Sequence, residues 1–326
     1  MTQVSYHDTV NDLQGLDLAA DGPFARVEWF ALLQQAGAHP LVALARDMRG
    51  ALALPLAVHG KHLESLTNWY AFTWQPLATP EADQPALLAA LARDLRRHGN
   101  RCTLTKLPVD SAHLLRTVFA GAGWYTRLEP CDSNHVLPLA DRNYEQFMAM
   151  RPGPLRTTLK RKAKKVAVEI QCHFDPESWA AYEAVYAESW KPEEGDPALL
   201  RTFAEKEGAA GRIRLGLARH EGHVVAAQFW TVENGTAWIH KLAHLESAKS
   251  LSAGTTLSAA LFQHVIDDDR VELVDFGTGN DAYKRDWMEQ VRIRYRLTCW
   301  RPEVPGNWPA IGKALVRTLV SRGRSG

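Results

Sequence analysis

The sequence predicts an α/β chain with a mixed sheet (α+β in its strand order), laid out as two successive modules. Three observations carry this. The 326 residues exceed what one compact core usually takes. Helical and extended patterns alternate from end to end, which argues against a bundle or a sandwich. The run Arg151-Pro152-Gly153-Pro154 interrupts any regular element, so the modules are expected at residues 1–148 and 149–300, with a helical tail at 301–326.

In the first module, Val27–Gln35 reads as a helix, and Leu41–Ala45 and Ala51–Val58 as a strand pair turning at Asp47–Gly50. Pro85–Arg97 is an amphipathic helix that gathers Leu87, Leu88, Leu91 and Leu95 on one face and stops at Gly99–Asn100. A strand at Cys102–Leu107, a helix at Ala112–Ala122 and a strand at Asn134–Leu139 follow. In the second module, a helix at Trp179–Trp190 precedes strands at Ile213–Arg219, His223–Val232 and Thr236–Ala243. Glu221-Gly222 and Asn234-Gly235 join these as tight hairpins, because both pairs tolerate the positive φ that two-residue turns need. The meander leads into a helix at Gly254–Asp267 and a buried strand at Val271–Phe276, closed by Gly277-Thr278-Gly279. In the tail, Trp308, Ile311, Leu315 and Leu319 share a face opposite Lys313 and Arg317. That face suits the chain's own core, a partner or a peripheral membrane contact.

Composition removes several classes. A net charge of +1 provides no global field toward DNA or a membrane, so any polyanion would have to meet a local patch. Residues 1–12 lack the basic and apolar stretches of a secretory leader, and no apolar run approaches the roughly 20 residues needed to cross a bilayer. Cys102, Cys131, Cys172 and Cys299 form no paired motif, which fits reduced thiols in the cytoplasm. No H-E-x-x-H, Walker A or G-x-S-x-G motif occurs, so neither a metal nor a hydrolase triad is expected.

Three clusters remain as candidate chemistry. The segment 245–256 joins a strand to a helix and is rich in small residues. A helix start there aims free amides at a phosphate, with Gly254 allowing close approach and Ser252, Thr255, Thr256 and Lys249 adding donors or charge. It reads equally as an ordinary serine cap. The second cluster follows the strand end at Asp275, where two glycines precede Tyr283-Lys284. Lys284 suits a developing oxyanion and Tyr283 a hydrogen bond or proton, or else Asp275 is a turn cap and Lys284 a solvated side chain. The third is a basic run, with Arg151, Arg156, Lys160, Arg161, Lys162, Lys164 and Lys165 against Glu169 alone. It fits a phosphate-rich partner or a solvated helix face. His240 is a candidate base on the strand beside the proposed donor site. The aromatic loop Thr67–Trp74 offers Trp69, Tyr70 and Trp74 either to a sugar or to a packing seam.

Taken in order, these features resemble a known family. They are the helix Trp179–Trp190, the meander Arg212–Leu215 and Gly222–Gln228, the hairpin through Trp238 and Lys241, Ser252-Ala253-Gly254, and Asp275–Gly279 with Tyr283-Lys284. The basic stretch around Arg161 and the opening Pro23-Phe24 with Glu28-Trp29 agree. The chain is similar to the GNAT superfamily proteins related to Fem-type peptidoglycan ligases and CelD-like acetyltransferases. That resemblance implies two tandem GNAT modules, the first degenerate. It implies an acyltransferase that moves an acyl group from acyl-coenzyme A, acetyl-coenzyme A first among them, to an amine or hydroxyl of a small-molecule, sugar or envelope-precursor acceptor. It further implies that Tyr283 and Lys284 lie near the reacting ester and that Ser252–Thr255 hold the donor pyrophosphate. Beside that, Lys241, Lys249 and Thr256 are expected as further donor contacts, Asp275 and His240 as catalytic groups, and Trp190, Gln228 and Trp238 as acceptor contacts. The usual pyrophosphate signature, Arg or Gln before Gly-x-Gly or Gly-x-Ala, is absent, and so is the coiled-coil arm of some Fem ligases. Aminoacyl-tRNA as donor, or a non-catalytic scaffold in envelope or polysaccharide assembly, are the alternatives.

Overall fold

The computed structural model describes residues 2–322, and for 318–322 the backbone alone; Gly323–Gly326 at the end of the expected tail, and the Leu319 side chain, lie outside that description. Contacts divide the chain into two compact units, Met1–Asp132 with Ile293–Gly326, and Ser133–Arg292. The Arg151–Pro154 break lies inside the second unit. The strand end from Asn134 to Pro138 pairs with that unit's own sheet, which is why the division comes earlier in the chain.

The first unit runs β1 (Gln3–His7), α1 (Val27–Gln35), β2 (Pro40–Arg46), β3 (Ala51–His59), β4 (His62–Ser65), β5 (Leu77–Ala78), α2 (Gln84–Asp94), β6 (Arg101–Leu107) and α3 (Val109–Gly121). Strands β1 to β4 are antiparallel neighbours, and β4 then pairs parallel with β6 through His62–Glu64 and Arg101–Thr103. The parallel step needs a crossover, and α2 lies within it. The core gathers Phe24, Trp29, Phe30, Leu44, Leu88 and Leu104.

The aromatic loop before β5 is part of that core. Trp74 is fully buried and donates its indole N–H to the Pro55 carbonyl at 3.2 Å. Lys106, in a left-handed conformation, donates to the carbonyls of Asn68 and Ala71, both at 2.6 Å. Tyr70 is buried as well, and Trp69 is exposed.

Burial lowers the Lys106 pKa to about 8, against about 10.4 in an unfolded chain. The unfolded state therefore holds more protons between those values, and the residue's contribution to stability rises with pH across that window. Relative to a Lys106→Met variant, the wild type should gain about 2 kcal/mol between about pH 7.5 and about pH 10. Urea unfolding of both proteins at each pH measures it, and parallel pH profiles would show that Lys106 is not titrating there.

The second unit begins within β7 (Tyr125–Pro138) and continues through α4 (Tyr144–Ala149), α5 (Gly153–Lys162), β8 (Ala167–Gln171), α6 (Pro176–Ala187), α7 (Pro197–Ala209), β9 (Ile213–His220), β10 (His223–Glu233), β11 (Thr236–His244), α8 (Ala253–Gln263), β12 (Leu273–Thr278) and α9 (Lys284–Trp287). Strands β8 to β11 are antiparallel neighbours, β11 pairs parallel with β12, and β12 pairs antiparallel with Asn134–Pro138. The first unit repeats this order, its last strand being β13 (Gln290–Trp300), antiparallel to β6. A final helix, α10 (Trp308–Arg322), belongs to the first unit.

The second core is aromatic at its centre. Phe262 stacks on Trp287 at 4.8 Å and on Phe147 at 5.2 Å, with Trp230 edge-on at 5.1 Å. Arg151, expected in the exposed basic run, is buried. Its guanidinium lies over Phe147, donates to the Trp287 carbonyl at 2.9 Å and pairs with Glu289. A buried arginine without that carboxylate would be costly, so its role is to anchor α9.

Candidate functional site

In the second unit, β11 and β12 pair only from Thr236 to Trp238 and from Leu273 to Asp275. Beyond this both strands continue without pairing to each other, which leaves an opening between them. Opposite β10, Phe229 faces Lys241 while Trp230 faces Ile239, so His240 is an inserted residue. Such a bulge bends the strand and leaves one residue outside the ladder. The His240 ring bonds to the Thr231 hydroxyl at 2.8 Å and packs on Phe229 and Phe203. Its side chain is thus committed to the α7 side of the sheet.

At the head of the crossover helix α8, Ser252 adopts φ 55° and makes no side-chain cap, and the first turn carries no acid. Helix α2, in the corresponding position of the first unit, differs. Asp83 caps it by accepting from the Ala86 amide, and Pro85 removes a donor. One helix start is self-neutralised and the other leaves its dipole and amides available to an anion. Lys162 on α5 reaches the Ser252 hydroxyl at 3.2 Å. Gly254 faces His244 so closely that a Cβ would lie 3.2 Å from the ring. The buried Thr256 hydroxyl and His244 Nδ1 have no hydrogen-bond partner. Lys249 is well exposed and 3.7 Å from Glu246, apart from this group. Gln228 serves the scaffold: it is buried, donates to the Gly254 carbonyl and Ser258, and accepts from Trp230. Trp238 is likewise buried.

At the end of β12, Asp275 is buried and accepts from Asn134 Nδ2 at 3.0 Å and from the Gly277 amide at 2.8 Å. Its carboxylate holds the turn, which Gly277 and Gly279 complete with φ of 67° and 96°. Lys284 is only 5% exposed, donates to the Thr278 carbonyl at 2.5 Å and lies over Phe276. Burial and the Asp281 carboxylate push the Tyr283 phenol well above its ordinary value, so it is neutral at physiological pH. Beside them is His135, buried with Nε2 unpartnered, whose pKa is lowered by burial and then by Lys284 and Arg285.

The segment between α6 and α7 completes the group. Trp190, itself half exposed, packs tilted against His244 at 4.2 Å, Lys191 lies 5.8 Å over the Tyr283 ring, and Glu194 pairs with Lys241 at 2.8 Å. Burial lowers the pKa of both lysines, with Asp281 opposing at Lys191 and Glu194 at Lys241. A cavity of about 520 Å³ adjoins, lined by Trp179, Tyr182, Tyr186, Lys191, Glu194 and Leu200. Sequence reasoning missed His135, Lys191 and Glu194, since no local motif marks them. Among the described residues no group of three metal-ligating side chains converges.

Residues 154–285 match the family model described as the acetyltransferase (GNAT) domain. No curated protein matches the chain by sequence. Among solved structures, FemX aligns at TM-score 0.61 and 10% identity, covering 90% of this chain and 96% of its own. L-PGS from Bacillus licheniformis aligns at 0.55 and 15%, covering 93% and 99%. A tandem GNAT protein from the clavulanic acid biosynthesis pathway aligns at 0.53 and 15%, covering 91% and 98%.

Proposed function

The chain carries a GNAT domain at residues 154–285 within a tandem GNAT fold, and from that premise we propose that its second unit transfers an acyl group from acyl-coenzyme A to an amine or hydroxyl. The acceptor is a small molecule, a sugar or an envelope precursor, and acetyl is the first acyl group to test. The observation that carries this reading is the uncapped start of α8 beside the opening between β11 and β12. A donor pyrophosphate fits there: the amides and dipole face an anion, and the Thr256 hydroxyl is unpartnered.

In this reading the acceptor attacks the thioester carbonyl, a bond to carbon forms, and the C–S bond breaks as the thiol leaves with a proton. The backbone N–H at the His240 bulge and the Lys284 ammonium stabilise the oxyanion. His135, neutral at physiological pH, takes the acceptor proton. Asp275 positions the loop, and Tyr283 supplies a hydrogen bond. The aromatic cavity beside Lys191 and Glu194 receives the acceptor.

Helix α5 and the turn that follows it at 163–165 favour a second reading. Arg156, Lys160, Arg161, Lys164 and Lys165 are exposed and take part in no ion pair among the described residues, and Lys162 touches Ser252. A phosphate-rich donor such as aminoacyl-tRNA would meet this ridge, with affinity falling steeply as salt rises.

Calorimetric titration with acetyl-coenzyme A and a longer acyl-coenzyme A separates the two. Binding is expected, and Gly254→Leu should weaken it about tenfold or more by pressing its side chain on the His244 ring and displacing the start of α8, equivalent to about 1.4 kcal/mol. No binding at millimolar ligand, together with salt-steep binding of charged tRNA, would replace the first reading with the second.

A further inference from the structure

The last helix of the first unit, α10, has an apolar face that no described residue of its unit covers. Trp308 is 61% exposed, Leu315 49% and Val316 60%, and Ala314 alone among the described side chains of the helix is buried. On a helical projection Trp308, Ile311, Leu315 and Val316 share one side, Ala314 turns toward the unit, and Lys313 and Arg317 lie on the remaining side. The charge is one-sided as well. After Glu303 the sequence contains Lys313, Arg317, Arg322 and Arg324 and no acidic residue. An exposed tryptophan at the start, branched apolar residues along one side and unopposed cations beside them match what an anionic lipid surface demands of a helix lying in its plane. A second copy of the chain is the poorer occupant, because a two-fold contact would set the same cationic helix against itself. No helix of the described residues is long and apolar enough to cross a membrane, so the contact would be interfacial.

We infer that α10 docks the protein on an anionic membrane surface, by inserting Trp308, Leu315 and Val316 beneath the headgroups while Lys313 and Arg317 meet the phosphates. The inference is independent of which donor the second unit uses.

Vesicle flotation of the full chain tests it. Vesicles of phosphatidylcholine with about a third phosphatidylglycerol should carry about tenfold or more protein than neutral vesicles, the order expected when several cations approach an anionic leaflet. High salt should weaken binding, and Leu315→Glu with Val316→Glu should abolish it while the melting temperature stays unchanged. Lys313→Glu with Arg317→Glu should remove the preference for anionic lipid. Equal flotation of the Leu315→Glu, Val316→Glu protein and the wild type would overturn the proposal, as would absence of binding at either composition. So would a wild-type dimer that this double variant turns into a monomer, since the face would then be a protein interface.

Discussion

Replacing Lys284 by alanine is expected to lower turnover by about 10²–10³-fold, the usual cost of removing one preorganised oxyanion donor. The expectation comes from geometry: a nearly buried ammonium, held by the Thr278 carbonyl and set over Phe276, is positioned before substrate arrives. Lys284→Met distinguishes charge from packing, because it keeps most of the side-chain volume and also relieves the burial of a cation. Both variants should melt close to the wild type and both should lose kcat, with KM for the donor little changed. Steady-state kinetics with thermal unfolding on the same preparations measures this. Full activity in Lys284→Met would remove the residue from the mechanism, and a large drop in melting temperature would recast it as structural.

Trp287→Ala should be the most damaging single change in the second unit, costing about 3–5 kcal/mol of its stability, as truncation of a buried aromatic usually does. The indole stacks on Phe262 at 4.8 Å and 4° between planes, and its carbonyl receives the Arg151 guanidinium. It lies three positions after Lys284, so the loop after β12 loses its anchor when this stack is lost. Donor turnover should therefore fall together with stability, unlike in the Lys284 variants. Denaturant unfolding followed by tryptophan fluorescence measures the first effect; a loss below about 1 kcal/mol would mean that the core closes over the vacancy.

Much of this protein was determined locally. Helix α1 has the bounds its pattern predicts, and the meander from β9 to β11 follows from its turns, where Asn234 and Gly235 take φ of 48° and 70°. The glycines after Asp275 and the small residues before α8 marked the two places where backbone leaves the regular ladder. What pattern alone passed over includes β1, β4, β5, α4, α7 and β13. Strand β1 pairs with β2 and β13 with β6, partners distant along the chain, so their own residues state them weakly. The same reason separates expected from observed roles in the candidate site. Asp275 is a clamp because Asn134, 141 positions earlier, supplies its partner, and Trp74 is core because Pro55 accepts from it. His135, Lys191 and Glu194 join Lys284 and Lys241 only through strand pairing and a loop seated on the sheet. Sequence periodicity and turn chemistry report energies of neighbours along the chain. Which charged groups come to share a buried opening is decided by long-range pairing, and only the folded chain contains that information.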